Sequence, residues 1–456
     1  MSEQPASAFS VSAASGVTVS PARRRAVVDA LRRGAVPDSG LDLLATGLVR
    51  FEAAVDGELD AVAAGGSAFK AVRGEYGSGK TFFARWLGER AKRRGFAVAE
   101  VQVSETETPL HRLETVYRRA TERLATASFQ PSALRPVVDA WFYALEDDAL
   151  AAGAEDSRLE QAVAKLLDDR LSEVSRGAPG FAAALRGYHS ALGADDEATA
   201  SAVLAWLGGE PHVAAAAKRA AGVRGDLDHF GALGFLQGLL AVLRDSGHSG
   251  LLLVLDEVET LQRVRSDARD KALNALRQLI DEVHSGRFPG LYLVITGTPA
   301  FYDGPQGVQR LAPLAQRLAT DFSTDSRFDN PRAVQLRLPG FQLETLNELG
   351  RKIRDLYAMG STDPQRVRSV ADDAYVADLA HAVGGALGGK VGVAPRLYLK
   401  KLVGDVLDRI DQFPDFDPRA DYRLTVDRTE LTDAERHVAT LPVAPAASAD
   451  EVELDL

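Results

Sequence analysis

Residues Gly74 to Thr81 read GEYGSGKT, a G-x-x-x-x-G-K-[ST] pattern set between an apolar run and an amphipathic stretch. The run is Ala68 to Val72, with Lys70 inside it, and the stretch is FFARWLGERAKR. Few folds admit this arrangement, because such a loop works only where a buried strand ends and a helix begins. Backbone N–H groups of the loop and the positive end of the helix then converge on a phosphate. Lys80 is placed to reach the β- and γ-phosphates, and the Thr81 hydroxyl to hold Mg²⁺. The expected nucleotide contacts are therefore Gly74, Glu75, Tyr76, Gly77, Ser78, Gly79, Lys80 and Thr81.

Three further apolar runs read as strands: FAVAEVQV from Phe96, LLLVLDEVE from Leu251 and LYLVITGTP from Leu291. Continuous apolar strands separated by helices predict an α/β fold, a parallel sheet covered on both faces. Between the second and third runs, Leu110 to Leu243 is helical in pattern and broken by prolines and glycine pairs. A segment this long does not stay structureless in a compact domain, so it predicts an insertion of roughly five to eight helices. After Pro339, LETLNELGRKIRDLYAMG, YVADLAHAVGG and APRLYLKKLVGDVLDRIDQF predict a helical lid. The expected divisions are a disordered leader at 1–22, a core at 23–340 with its insertion at about 106–245, a lid at 341–415 and an acidic, largely disordered tail at 416–456. RRRAVVDALRR, from Arg23 to Arg33, predicts a short helix at the start of the core.

Charge and composition narrow the chemistry. A net charge of −11 opposes simple coating of DNA. Without cysteine, disulfides and thiolate metal sites are excluded, and the eight histidines have no metal-ligand spacing. No apolar stretch approaches a membrane span, which makes a cytoplasmic location the expectation.

The run LLLVLDEVE closes on acids. The strand beside the phosphate loop is expected to deliver two carboxylates at its C-terminal edge. Asp256 would orient Mg²⁺ through its water shell, and Glu257 would polarise the attacking water. Glu259 could extend the cluster. On the next strand Thr296 or Thr298 would lie near the γ-phosphate, and the sequence does not rank them. Positive charge on the transferring group is commonly supplied by an arginine from a neighbour. Arg317 is the stronger candidate and Arg310 the weaker. Arg396 follows Pro395 at a predicted helix start, a poor place for a cation electrostatically, which favours a functional reason. RVRSDARDK, Arg263 to Lys271, is either a solvated mixed-charge loop or a surface that touches DNA phosphates without reading sequence.

In this order, GEYGSGKT, LDEVETL, TGTPAFYDG, LAQRL and APRLYLK resemble the AAA+ class of P-loop ATPases, nearest the initiator-like branch with a helical lid. More narrowly, together with RRRAVVDALRRGAVPDSGLDLLATG and WLGGEP, they resemble the ATP-binding proteins of BREX-type phage-defence systems, over Arg23 to Phe413. The resemblance implies an ATPase using ATP and Mg²⁺. Lys80 and Thr81 would contact phosphate and metal, Asp256 the metal's water shell, and Glu257 the attacking water. It implies Thr298 as the first sensor, Arg317 as a trans-acting finger, Arg396 as the second sensor and Gly47 beside the adenine. Glu75 and Tyr76 depart from the pattern, since smaller residues often fill those positions. Homo-oligomers formed through Arg317, a helicase-like partner or other defence proteins, and action on DNA are likewise implied. Two other readings stand beside it: a signalling switch that turns over rarely, and a DNA loader. The loader wants a basic C-terminal DNA-reading domain, whereas the chain after Phe413 is acidic, with YRLTV its only strand-like run.

Overall fold

The computed structural model describes residues 19–155, 158–387, 395–431 and 436. Most of the expected leader and most of the expected tail lie outside them.

Five parallel strands form one sheet: β1 (Ala68–Arg73), β2 (Ala97–Gln102), β3 (Leu251–Asp256), β4 (Leu291–Gly297) and β5 (Gln335–Arg337). Their order is β2-β3-β4-β1-β5. The strands β2, β3 and β4 are each shorter than the apolar run that predicted them, whereas β1 continues one residue past Val72. LLLVLDEVE, for example, is strand only to Asp256, and the chain then turns into a tight helical turn at Val258–Gln262. The strand β5 was not anticipated, being three residues long with a glutamine and an arginine among them.

Alternation along the strands assigns the two faces. Leu251, Leu253 and Leu255 enter one hydrophobic cluster, while Leu252 and Val254 enter another on the opposite face. The second face is covered by α2 (Val49–Ala63) and α3 (Lys80–Arg93), which bury Phe51, Val55, Phe83, Trp86 and Leu87 against it. Lys70 within β1 is also buried, its ammonium 2.6 Å from Glu58 of α2 and 2.6 Å from the Ala333 carbonyl. Those partners replace the water that a buried cation loses.

The other face carries α12 (Ser266–His284) and much of the segment between β2 and β3. That segment holds eight helices among the described residues, from α4 (Leu113–Glu122) to α11 (His229–Asp245). It is no separate lobe on a stalk. Trp141, Phe181, Tyr188 and Phe235 share a continuous cluster with the sheet residues Ala99 and Leu253. Beyond β4 come the short helices α13 (Pro299–Asp303) and α14 (Ala312–Arg317).

A third cluster is C-terminal. It joins α15 (Leu343–Ala358), α16 (Pro364–Val370), α17 (Asp373–Ala386), α18 (Pro395–Lys400), a wider π-type stretch at Lys401–Leu407 and α19 (Asp408–Gln412). Two expectations change here. The first helix, α1 (Pro21–Arg32), was assigned to the core but packs Val27, Val28 and Leu31 into this C-terminal cluster. Its Arg32 guanidinium grips Asp408 at 2.6 and 2.9 Å. The segment after residue 415 was assigned to a largely disordered tail, yet Tyr422, Leu424 and Val426 pack on the same helices. YRLTV forms no strand there.

Candidate functional site

In a parallel sheet all strand C-termini lie at one edge, where open α/β folds bind ligands. Here that edge meets the C-terminal helices across a cleft of about 850 Å³. The cleft is lined by the glycine loop, by Glu257 and Glu259, and by the apolar side chains of Leu44, Leu48, Phe51, Phe341 and Leu349, of which Phe341 reaches the loop itself, 3.4 Å from where a Gly79 Cβ would sit. Gly47 also lines the cleft, at φ +75, and a Cβ there would meet nothing within 4 Å.

Between β1 and α3 the chain turns tightly. Gly79, which precedes α3, has φ +89, a conformation open to glycine at low cost. A Cβ on Gly74 would sit 2.2 Å from the Ser78 hydroxyl, so the loop closes on itself too tightly for a side chain there. The Lys80 ammonium is drawn inward, donating to the carbonyls of Gly74 at 2.9 Å and Glu75 at 3.3 Å. It also lies 5.2 Å from the centre of the Tyr76 ring. Tyr76 is partly exposed at the cleft wall, with its phenol pushed up first by burial and then by Glu259. Ser78 is buried with a hydroxyl that has no hydrogen-bond partner.

The strand carrying the acids is not beside the loop strand, as expected, because β4 lies between β3 and β1. The gap is closed by α3, whose first turn projects Thr81 across the sheet edge. The Thr81 hydroxyl donates to Asp256 Oδ2 at 2.9 Å. The other Asp256 oxygen accepts from the Thr296 hydroxyl, which in turn accepts the Glu257 N–H at 3.2 Å. Glu257 has φ +60, a strained conformation for a residue with a side chain. That kink aims its carboxylate into the cleft, where Oε2 accepts from Gln102 Nε2 at 2.9 Å.

The two threonines that the sequence left unranked differ in their surroundings. Thr296 is fully buried against the carboxylates, whereas Thr298 begins α13 and caps nothing with its side chain. Arg396, at the start of α18, lines the cleft and donates to the Glu430 carbonyl at 2.5 Å. Arg317 lies outside this chain's cleft on α14, bridging Asp281 and donating to the Pro313 carbonyl at 2.7 Å. Arg310 is taken by Asp270 and by Ser266 Oγ at 2.7 Å. Of the candidate DNA-contacting arginines, Arg263 lines the cleft. Arg269 caps the carbonyls of Leu261, Gln262 and Val264. Only Arg265, 90 % exposed, faces solvent in the way that reading needs.

Gln102 and the apolar wall at Phe341 and Leu349 escaped sequence reasoning as site residues. Gln102 is one polar residue at a strand end, and Phe341 and Leu349 look like ordinary core positions.

The donor set suits Mg²⁺, which takes one or two protein oxygens and completes its shell with water and phosphate oxygens. Thr81 and Asp256 are two such oxygens in contact, beside a loop whose buried Ser78 hydroxyl lacks a partner. Among the described residues no helix is long and apolar enough to cross a membrane.

The comparisons with curated proteins and with solved structures return no match. A family model described as BREX system ATP-binding protein BrxC/D matches residues 19–426, from the start of α1 to the segment packed on the C-terminal helices. By that match the chain belongs to the family of BREX system ATP-binding proteins BrxC/D.

Proposed function

We propose that this chain is an AAA+ ATPase that binds and hydrolyses ATP with Mg²⁺ as the ATP-binding component of a BREX-type anti-phage defence system. The observation that carries the reading is the contact of Thr81 with Asp256 at 2.9 Å, in a cleft that also holds Lys80 and Glu257. Four residues from two distant stretches meet where the phosphates of a nucleotide would lie, and apolar side chains line the same cleft for its base.

Each residue has a task. Loop N–H groups and the start of α3 bind the β-phosphate, and Lys80 leaves its loop carbonyls to reach the β- and γ-phosphates. Thr81 and Asp256 would hold Mg²⁺, which when bound supplies neutralising charge on the phosphate oxygens. Thr296 holds Asp256 in orientation. Glu257 accepts the proton of the attacking water as the new oxygen–phosphorus bond forms and the bond to the bridging oxygen breaks. Because Gln102 holds Glu257 in this structure, that hydrogen bond must yield first. Arg396 reports the γ-phosphate to the lid. Arg317 completes the site of a neighbouring copy, which makes a homo-oligomer the working form. A helicase-like or other defence protein, and DNA contacted without sequence readout, are the proposed partners.

One observation favours a second reading, an ATP-dependent switch that turns over rarely. Both key groups are occupied internally, Lys80 by loop carbonyls and Glu257 by Gln102. A Lys80→Ala variant is expected to lose ATP binding, and Glu257→Gln to keep it while phosphate release stops. Retained tight binding in the first would remove the loop assignment, and unaltered turnover in the second would place the base elsewhere. Negligible turnover in the wild-type oligomer would favour the switch.

A further inference from the structure

A third carboxylate sits in the cleft without a role in the chemistry above. The strained turn at Glu257 sends Val258 into the core and brings Glu259 back toward the phosphate loop. Glu259 is 4 % exposed, and its Oε1 lies 3.8 Å from the Lys80 ammonium. Its Oε2 is buried and has no hydrogen-bond partner. An acid kept for the fold alone would be satisfied on both oxygens, since an unpaired buried acceptor is destabilising. The adjacent Tyr302 does not supply the missing bond, because its hydroxyl points to the Val72 carbonyl at 3.5 Å.

The charged groups that act most strongly on Glu259 belong to the site. Lys80 attracts it, and Glu257 and Asp256 repel it from the end of β3. Burial, the largest influence, raises its affinity for a proton, and Lys80 opposes that. Tyr76 and Tyr302 feel its charge from the loop and from α13. The groups that hold Lys80 inward are thus two loop carbonyls and one carboxylate, and incoming phosphates must displace all three. A fixed negative group beside bound phosphates also repels them through a poorly screened interior.

We propose that Glu259 is a positioning residue that draws the Lys80 ammonium into the loop and weakens nucleotide retention, so that the diphosphate product leaves quickly. The proposal rests on the ATPase reading and assigns that site its release step. Glu259 stores no chemistry. It competes with phosphate for the lysine.

The test compares wild type, Glu259→Gln, Glu259→Asp and Lys80→Ala, each checked for folding by thermal melting, with a fluorescent ADP analogue followed by stopped flow. Glu259→Gln is expected to bind about tenfold more tightly, almost entirely through slower dissociation, with a matching fall in kcat where release limits turnover. Glu259→Asp keeps the charge and is expected to stay within about threefold of wild type. A folded Glu259→Gln protein with wild-type dissociation, or with weaker binding, overturns the proposal. If Glu259→Gln does not fold, Glu259→Ala carries the same expectation and the same refutation. Should wild type bind no nucleotide, the ATPase reading falls and this proposal with it. If wild type binds, Lys80→Ala does not, and Glu259→Gln is unaltered, only the role of Glu259 is lost.

Discussion

Replacing Thr296 by valine keeps the shape of the side chain and removes one hydroxyl that serves two partners. That hydroxyl donates to Asp256 and accepts the Glu257 N–H at 3.2 Å, in a position with no solvent exposure. A hydrogen bond to a charged group contributes about 1.5–3 kcal/mol, and the Glu257 N–H keeps a partner because it also donates to Asp256 Oδ1 at 3.1 Å. Water cannot enter to replace the lost bond, so about 1.5–3 kcal/mol is removed from the arrangement of the two carboxylates. Asp256 keeps its Thr81 and Glu257 N–H contacts, so only part of that loss reaches the transition state. If half does, the barrier rises by about 0.8–1.5 kcal/mol, which slows turnover roughly four- to twelvefold. The assay is steady-state phosphate release against Mg²⁺ concentration. Thr296→Val is expected to need more Mg²⁺ and to turn over roughly four- to twelvefold more slowly, and Thr298→Val to change far less. Wild-type behaviour in Thr296→Val, with impairment in Thr298→Val, would refute the ranking of the two threonines and the coupling drawn through Asp256.

Three further outcomes are expected. Arg317→Ala should leave the ATP affinity of an isolated subunit intact and lower turnover only in the assembly. Normal turnover by a strictly monomeric protein would defeat the trans-acting role. Gly79→Ala places a Cβ on a residue at φ +89, a strain of about 1–2 kcal/mol, and titration should show roughly tenfold weaker ATP binding. Unchanged affinity would mean the loop tolerates another backbone path. Although burial opposes it, hydrogen bonds from Lys401 and Lys400 hold the Glu430 carboxyl down to about 2, below its usual 4.5. Its contribution is therefore complete above about 4.5 and lost as pH falls toward 2. Amide exchange in residues 427–431 should rise across that window in wild type, and a flat Glu430→Gln profile is the control.

The loop GEYGSGKT and the acids Asp256 and Glu257 were legible because their tasks depend on local geometry. A glycine-bearing turn, a helix start and a strand end are written in neighbouring residues. Sheet order is different in kind. Nothing in LLLVLDEVE states that β4 separates β3 from the loop strand, because strand neighbours are chosen by long-range hydrogen bonding and by packing of both faces. For the same reason the sequence could not choose between Thr296 and Thr298, which sit two residues apart on opposite sides of a strand end. The strand β5 was hidden by its length, and α1 was misplaced because an amphipathic helix does not name the surface that buries it.

The sequence by itself determined that a glycine-rich strand-to-helix loop, a parallel sheet and a long helical segment must coexist in this chain, since periodicity and turn chemistry act over a few residues. Only the tertiary structure decided which groups meet. It set Thr296 against Asp256, Gln102 against Glu257 and Glu259 beside Lys80. These contacts join residues far apart in the chain, and their energies arise from burial and charge that exist only once the sheet has closed.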